Sequence, residues 1–91
     1  MQIEWTSKAL TDLARLYDLL APLNQPSAAG LVQNLTKAPA RLQSSPRIGE
    51  KLDEFLPREV RRILIGAYEL RYEIRGVTIY LLRIWHTREE R

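Results

Sequence analysis

The 91-residue chain is predicted to fold as a single α+β domain. The predicted order is an N-terminal strand, an antiparallel helical hairpin, and a three-stranded antiparallel meander. Three observations carry this. Two apolar stripes with helical spacing follow one another across a short Pro22-Leu23-Asn24 connection. Residues 68–75 alternate strictly between apolar and charged side chains, the period of a strand. Residues 77–85 are almost continuously apolar, as in a strand covered on both sides.

The elements follow in order. In residues 3–6, Ile3 and Trp5 share one face and Glu4 takes the other, so a short strand is expected. Thr6 or Ser7 then offers a helix N-cap. Over residues 8–21, Ala9, Leu10, Leu13, Ala14, Leu16, Tyr17 and Leu20 fall in one arc of a helical projection. Lys8, Thr11, Asp12, Arg15 and Asp18 fall in the other, with Leu19 the one large apolar residue among them. Leu19 either caps the helix packing at its edge or belongs to a partner surface.

Asn24 can cap a second helix, with Pro26 in a first turn where a missing N–H costs nothing. Ala28, Leu31, Val32, Leu35, Ala38 and Leu42 line one face of it, and Gly30 offers a close helix approach. Pro39 predicts a bend, because an interior proline costs roughly 3 kcal/mol. Residues 44–57 read as a long loop with apolar anchors at Ile48, Leu52, Phe55 and Leu56. Residues 60–65 and 68–75 flank Gly66-Ala67, a tight hairpin with glycine first. A second turn at Arg75-Gly76 leads into the apolar strand, whose other neighbour should be the N-terminal strand. A curved four-stranded sheet with the hairpin on one face results.

Composition narrows the function. There is no cysteine, which excludes disulfides and thiolate metal sites. With no secretory signal, this fits a reducing cytoplasm. No apolar run reaches the roughly 18–20 residues needed to span a bilayer. One histidine and no clustered carboxylates leave no credible metal site, and no glycine-rich phosphate loop is present. No cofactor is therefore expected. The net charge of +3 lies entirely in residues 58–91, while residues 1–57 balance. A basic second half suits nucleic acid or an acidic protein.

The last third resembles the RelE/ParE superfamily of type II toxins, and most closely its ParE-like branch. The stretches carrying the likeness are Val60-Arg61-Arg62-Ile63-Leu64-Ile65-Gly66, Tyr68-Glu69-Leu70-Arg71-Tyr72-Glu73-Ile74, and Ile79 through Glu89. The first half is similar in architecture, β-α-α-β-β-β overall. The resemblance implies a cytoplasmic growth-inhibiting toxin neutralised by a cognate antitoxin, and touching DNA only through the antitoxin complex.

The superfamily holds two activities. RelE-like members cleave mRNA on the ribosome with a basic cluster and a terminal Tyr or His. ParE-like members lack that cluster and inhibit DNA gyrase by binding. Where RelE-like members carry a catalytic Arg within Tyr-Arg-Leu-Val-Tyr, this chain has Glu69. A second catalytic Arg aligns with Glu89, and the terminal Tyr has no counterpart. Carboxylates at phosphate-binding positions oppose RNA cleavage, so binding to gyrase is the leading expectation and the chain is not expected to be an enzyme.

The alternative is a ribosome-dependent mRNA endonuclease using Arg62, Arg83 and His86. His86 alone could supply acid–base chemistry near neutral pH. It could equally contact a partner or simply end a strand. For target or antitoxin binding the candidates are Arg61, Arg62, Arg71, Arg83, Trp85, His86 and Arg88. Arg61-Arg62 is a tandem pair of which one side chain must leave the core. Trp85 is either a packing residue or an exposed anchor. Arg71 and Arg75 are expected on a solvated face, paired with Glu69 and Glu73.

Overall fold

The computed structural model describes residues 1–89; Glu90 and Arg91, the end of the charged tail, lie outside them. The chain is α+β, with strand β1 (Gln2–Trp5), helices α1 (Ser7–Leu20) and α2 (Gln25–Lys37), and a one-turn helix α3 (Arg41–Ser44). Strands β2 (Glu50–Lys51), β3 (Glu59–Ile65), β4 (Tyr68–Arg75) and β5 (Thr78–His86) follow. The sheet order is β1-β5-β4-β3-β2. β1 runs parallel to β5 and thus neighbours it as expected.

The sheet has five strands where four were predicted. The addition is β2, inside the expected loop, pairing Glu50 with Arg62 and Lys51 with Arg61. Its two charged residues have no apolar alternation to announce a strand, and short charged edges of this kind resist further pairing.

Both helix starts obey local chemistry. Thr6 Oγ1 accepts from the Ala9 N–H at 3.2 Å, and Asn24 Oδ1 accepts from the Ser27 N–H at 3.0 Å. Pro39 interrupts the ladder: α2 stops at Lys37, Ala38–Ala40 form a 3₁₀ turn, and α3 brings Leu42 into full burial. The backbone stays right-handed throughout, so a change in hydrogen-bond spacing accommodates the proline. Gly30 marks no close approach, because a Cβ there would meet nothing within 4 Å.

The core lies between the hairpin and one sheet face. Ala9, Leu16, Leu35 and Leu42 pack on Ile63, Leu70, Tyr72, Ile79, Leu81 and Ile84. β5 reaches this set through a bulge. Arg71 pairs with Arg83 but Tyr72 pairs with Leu81, leaving Leu82 as the extra residue. Strict alternation would send Leu81 and Ile84 to opposite faces; the bulge turns both inward. Gly66 and Gly76 supply the positive φ, 60° and 59°, at the first position of each two-residue hairpin.

Two expectations about faces are corrected. Leu10 was expected in the core arc of α1 but is 52% exposed, whereas Asp12 is 3% exposed. The helix is rolled toward the end of β5, where a carboxylate is required. Glu69 and Glu73 are not on a wet face; they are 1% and 4% exposed.

The loop ahead of β3 is tied down by Tyr72. Its hydroxyl donates to Pro46 O at 2.8 Å and accepts from the Gly49 N–H at 3.0 Å. Arg61 donates to Gly49 O at 2.8 Å, while Arg47 grips Glu59 with two hydrogen bonds. Of the four predicted anchors only Leu52 is buried, with Phe55 half-buried and Ile48 and Leu56 exposed. A Cβ on Gly49 would stand 2.6 Å from Tyr72 Oη and 2.7 Å from Arg62 O. Gly49→Ala is therefore expected to destabilise the fold by about 1–3 kcal/mol, read as a lower midpoint in urea unfolding. An unchanged midpoint would refute the close packing of this loop.

Candidate functional site

Strand register builds the face of the sheet turned away from the helices. Three rows cross β3, β4 and β5: Leu64, Glu69 and Trp85; Arg62, Arg71 and Arg83; Val60, Glu73 and Tyr80. An arginine row therefore runs across the centre of this outer face, between two buried glutamates of β4. Arg58 and Phe55, from the segment before β3, complete it.

Carboxylates set beneath the arginines hold them in place. Glu69 accepts from Arg62 at 3.2 Å and from Arg71 at 3.1 Å. Glu73 takes two hydrogen bonds from Arg58, at 3.1 and 2.9 Å, and lies 3.9 Å from Arg75. Arg62 also reaches Glu50 at 3.1 Å. The guanidiniums in turn cover aromatic rings. Arg71 and Arg83 sit 5.0 and 5.1 Å from the Trp85 ring centre, and Arg75 sits 4.2 Å from that of Tyr80. Long arginine stems thus shield both the acids and the rings from water.

The edge of β5 completes the site. β1 pairs only as far as Leu81, and the side chains of Thr6 and of α1 continue in its place. Thr6 Oγ1 donates to Leu81 O at 2.6 Å. Asp12 Oδ2 accepts from the Ile84 N–H at 2.8 Å, and Arg15 donates to Ile84 O at 3.1 Å. Asp12 also receives two bonds from Arg83. Glu89 closes the end, accepting from Arg15 and, at 2.7 Å, from the His86 N–H.

The predicted site residues separate accordingly. Arg62, Arg71 and Arg83 come together on the outer face, with Trp85 buried beneath the last two. Arg61 lies on the opposite face and clamps the loop through Glu59 and the carbonyls of Arg47 and Gly49. His86 pairs with Tyr68 at helix-side parity, its ring edge-on to that tyrosine at 5.1 Å. Its Nδ1 accepts from the Arg88 N–H at 3.0 Å. Arg88 is exposed beyond the strand. Asp12, Phe55 and Arg58 were missed. Asp12 on a polar helix face is indistinguishable from a solvated acid until the helix roll is known. Arg58 carried one signal, two residues before the start of an arginine-rich strand.

A family model described as ParE toxin of type II toxin–antitoxin system, parDE, matches residues 3–91. The chain belongs to the ParE toxin family. A solved structure described as the chromosomal ParDE TA system from P. aeruginosa is similar to this ParE-family toxin at 28% identity and a TM-score of 0.79. The match covers 94% of this chain and 95% of that one. No curated protein sequence matches.

Among the described residues of this ParE toxin, no cluster of His, Cys, Asp or Glu could hold a metal. No helix among them is long and apolar enough to cross a membrane. Its outer face offers guanidinium N–H groups and apolar ring edges, the chemistry of protein recognition.

Three carboxylates, Asp12, Glu59 and Glu73, are held low by their partners. Burial pushes Asp12 up, but hydrogen bonds from Arg83, the Ile84 N–H and Arg15 outweigh it and hold the carboxyl below its ordinary value. The Arg58 hydrogen bonds likewise hold Glu73 low, and those of Arg47 hold Glu59 low. Groups lowered by folding stabilise the native state above their ordinary values, and that contribution is lost as pH falls through the lower folded values. Stability should therefore decline below about pH 4. Asp12→Asn should cost about 2–3 kcal/mol at neutral pH and flatten that decline. Thermal melts across acid pH test this; parallel curves for variant and parent would contradict it.

Proposed function

We propose that this ParE-family toxin arrests growth by binding DNA gyrase in the cytoplasm, and that a cognate antitoxin neutralises it. Resemblance to the ParE-like branch, the family match and the solved ParDE assembly support this reading. The observation that carries the preference for binding over cleavage is the division of the charged residues between faces. RNA cleavage by Arg62, Arg83 and His86 would need all three around one phosphate. Arg62 and Arg83 flank Arg71 on the outer face, two strand spacings or about 10 Å apart, and His86 has the opposite parity. Arg62 and Arg71 of the arginine row are also already paired with Glu69 and Glu50.

The outer face is the surface through which the target is engaged, with Arg71 central and Trp85 as the rigid platform under it. The antitoxin covers the helical hairpin and an edge of the sheet. Leu19 and Leu23 are exposed near the turn of that hairpin, apolar contacts of the kind amphipathic helices make.

Purified protein is expected to inhibit gyrase supercoiling at micromolar concentration, and Arg71→Ala to weaken inhibition by about tenfold, on the order of 1–2 kcal/mol. Induction should trigger a DNA-damage response before translation stops. Cleavage of ribosome-bound mRNA by the parent, absent in His86→Ala, would replace this reading with the nuclease one.

A further inference from the structure

A groove of about 460 Å³ lies beside the arginine row, with the bulge residue Leu82 in its lining. Leu82 and Phe55 supply its apolar surface; Lys8, Arg58 and Arg83 supply its charge. A smaller cleft of about 260 Å³ shares Lys8 and Arg83 and continues along α1 past Thr11 and Asp12. Among the described residues, no acidic one lines the larger groove.

The cations are presented asymmetrically. Arg58 is paired with Glu73 and Arg83 with Asp12, but the side chains of both acids are almost wholly buried, while those of the arginines are 52% and 41% exposed. The guanidinium edges therefore reach solvent and the carboxylates do not. Asp12 is also bonded by Arg15, which it shares with Glu89, and Glu73 lies near Arg75. Lys8 is exposed and joins no ion pair with the described residues. The groove thus shows three positive groups around an apolar strip.

We infer that this groove docks an extended acidic segment of a partner protein, with carboxylates on Lys8, Arg58 and Arg83 and an apolar side chain against Leu82 and Phe55. Charge complementarity and the apolar strip select this occupant together. A nucleic-acid strand fits less well. Three cations neutralise few phosphates. The inference concerns how a partner is held and does not depend on which target the toxin inhibits.

The test uses a short dye-labelled peptide of alternating glutamate and leucine, followed by fluorescence anisotropy with the full chain. Saturable binding at low salt is expected, weakened about tenfold or more by Lys8→Glu and unaffected by Lys37→Glu on α2. A peptide with lysine in place of glutamate should not bind. Circular dichroism confirms that the variants stay folded, as both changes are on exposed helix positions. Absence of saturable binding up to millimolar peptide would overturn the inference. So would indifference to Lys8→Glu, or tighter Lys8-dependent binding of a single-stranded RNA oligomer.

Discussion

The carboxylate of Asp12 stands where a backbone should be. β5 has nine residues and β1 only four, so the second half of β5 leaves its ladder groups without a strand on that side. Buried N–H groups demand partners. Asp12 accepts from the Ile84 N–H while Arg15, one helical turn away, donates to Ile84 O. A helix thereby imitates a strand through two side chains. The substitution fixes the roll of α1 and exposes Leu10. It also sets the height of the hairpin over the sheet and fastens Arg83 at the rim of the outer face.

The outer face follows a related logic. Alternating charge along β4 says which residues share a face, but not how wet that face is. Glu69 and Glu73 each lie between arginines long enough to fold over them, and the rings of Trp85 and Tyr80 lie under further guanidiniums. Attraction in a partly dehydrated layer is stronger than in water, and a pair broken there leaves a stranded charge. Such a layer presents guanidinium edges at fixed positions set by the acids and rings beneath them.

Much of the architecture was legible because it rests on local rules. Thr6, Asn24, Gly66 and Gly76 act through the few residues beside them, and the period-two pattern of β4 survives in the fold. What was illegible depends on tertiary context. β2 exists because Tyr72 and Arg61 hold the loop against β3, not because of its own two residues. The bulge at Leu82 is a compromise between the apolar run of β5 and the two faces it serves. The family likeness in the last third pointed to the arginine strands. It could not reveal that His86 and Arg61 take one side while Arg62, Arg71 and Arg83 take the other. That division is a matter of strand parity once the bulge is counted.

The side-chain cap on β5 bears on how this protein behaves when crowded. An unpaired strand margin is a template for another chain and a route to aggregation. Here the longest strand would have displayed such a margin, and Thr6, Asp12 and Arg15 close it. The margins left to the sheet are those of β1, of the charged pair in β2, and of the end of β3 beyond Arg62. In a domain of this size, with little stability to spare, Thr6 and two polar side chains of α1 close a seam that a sixth strand would otherwise have to close.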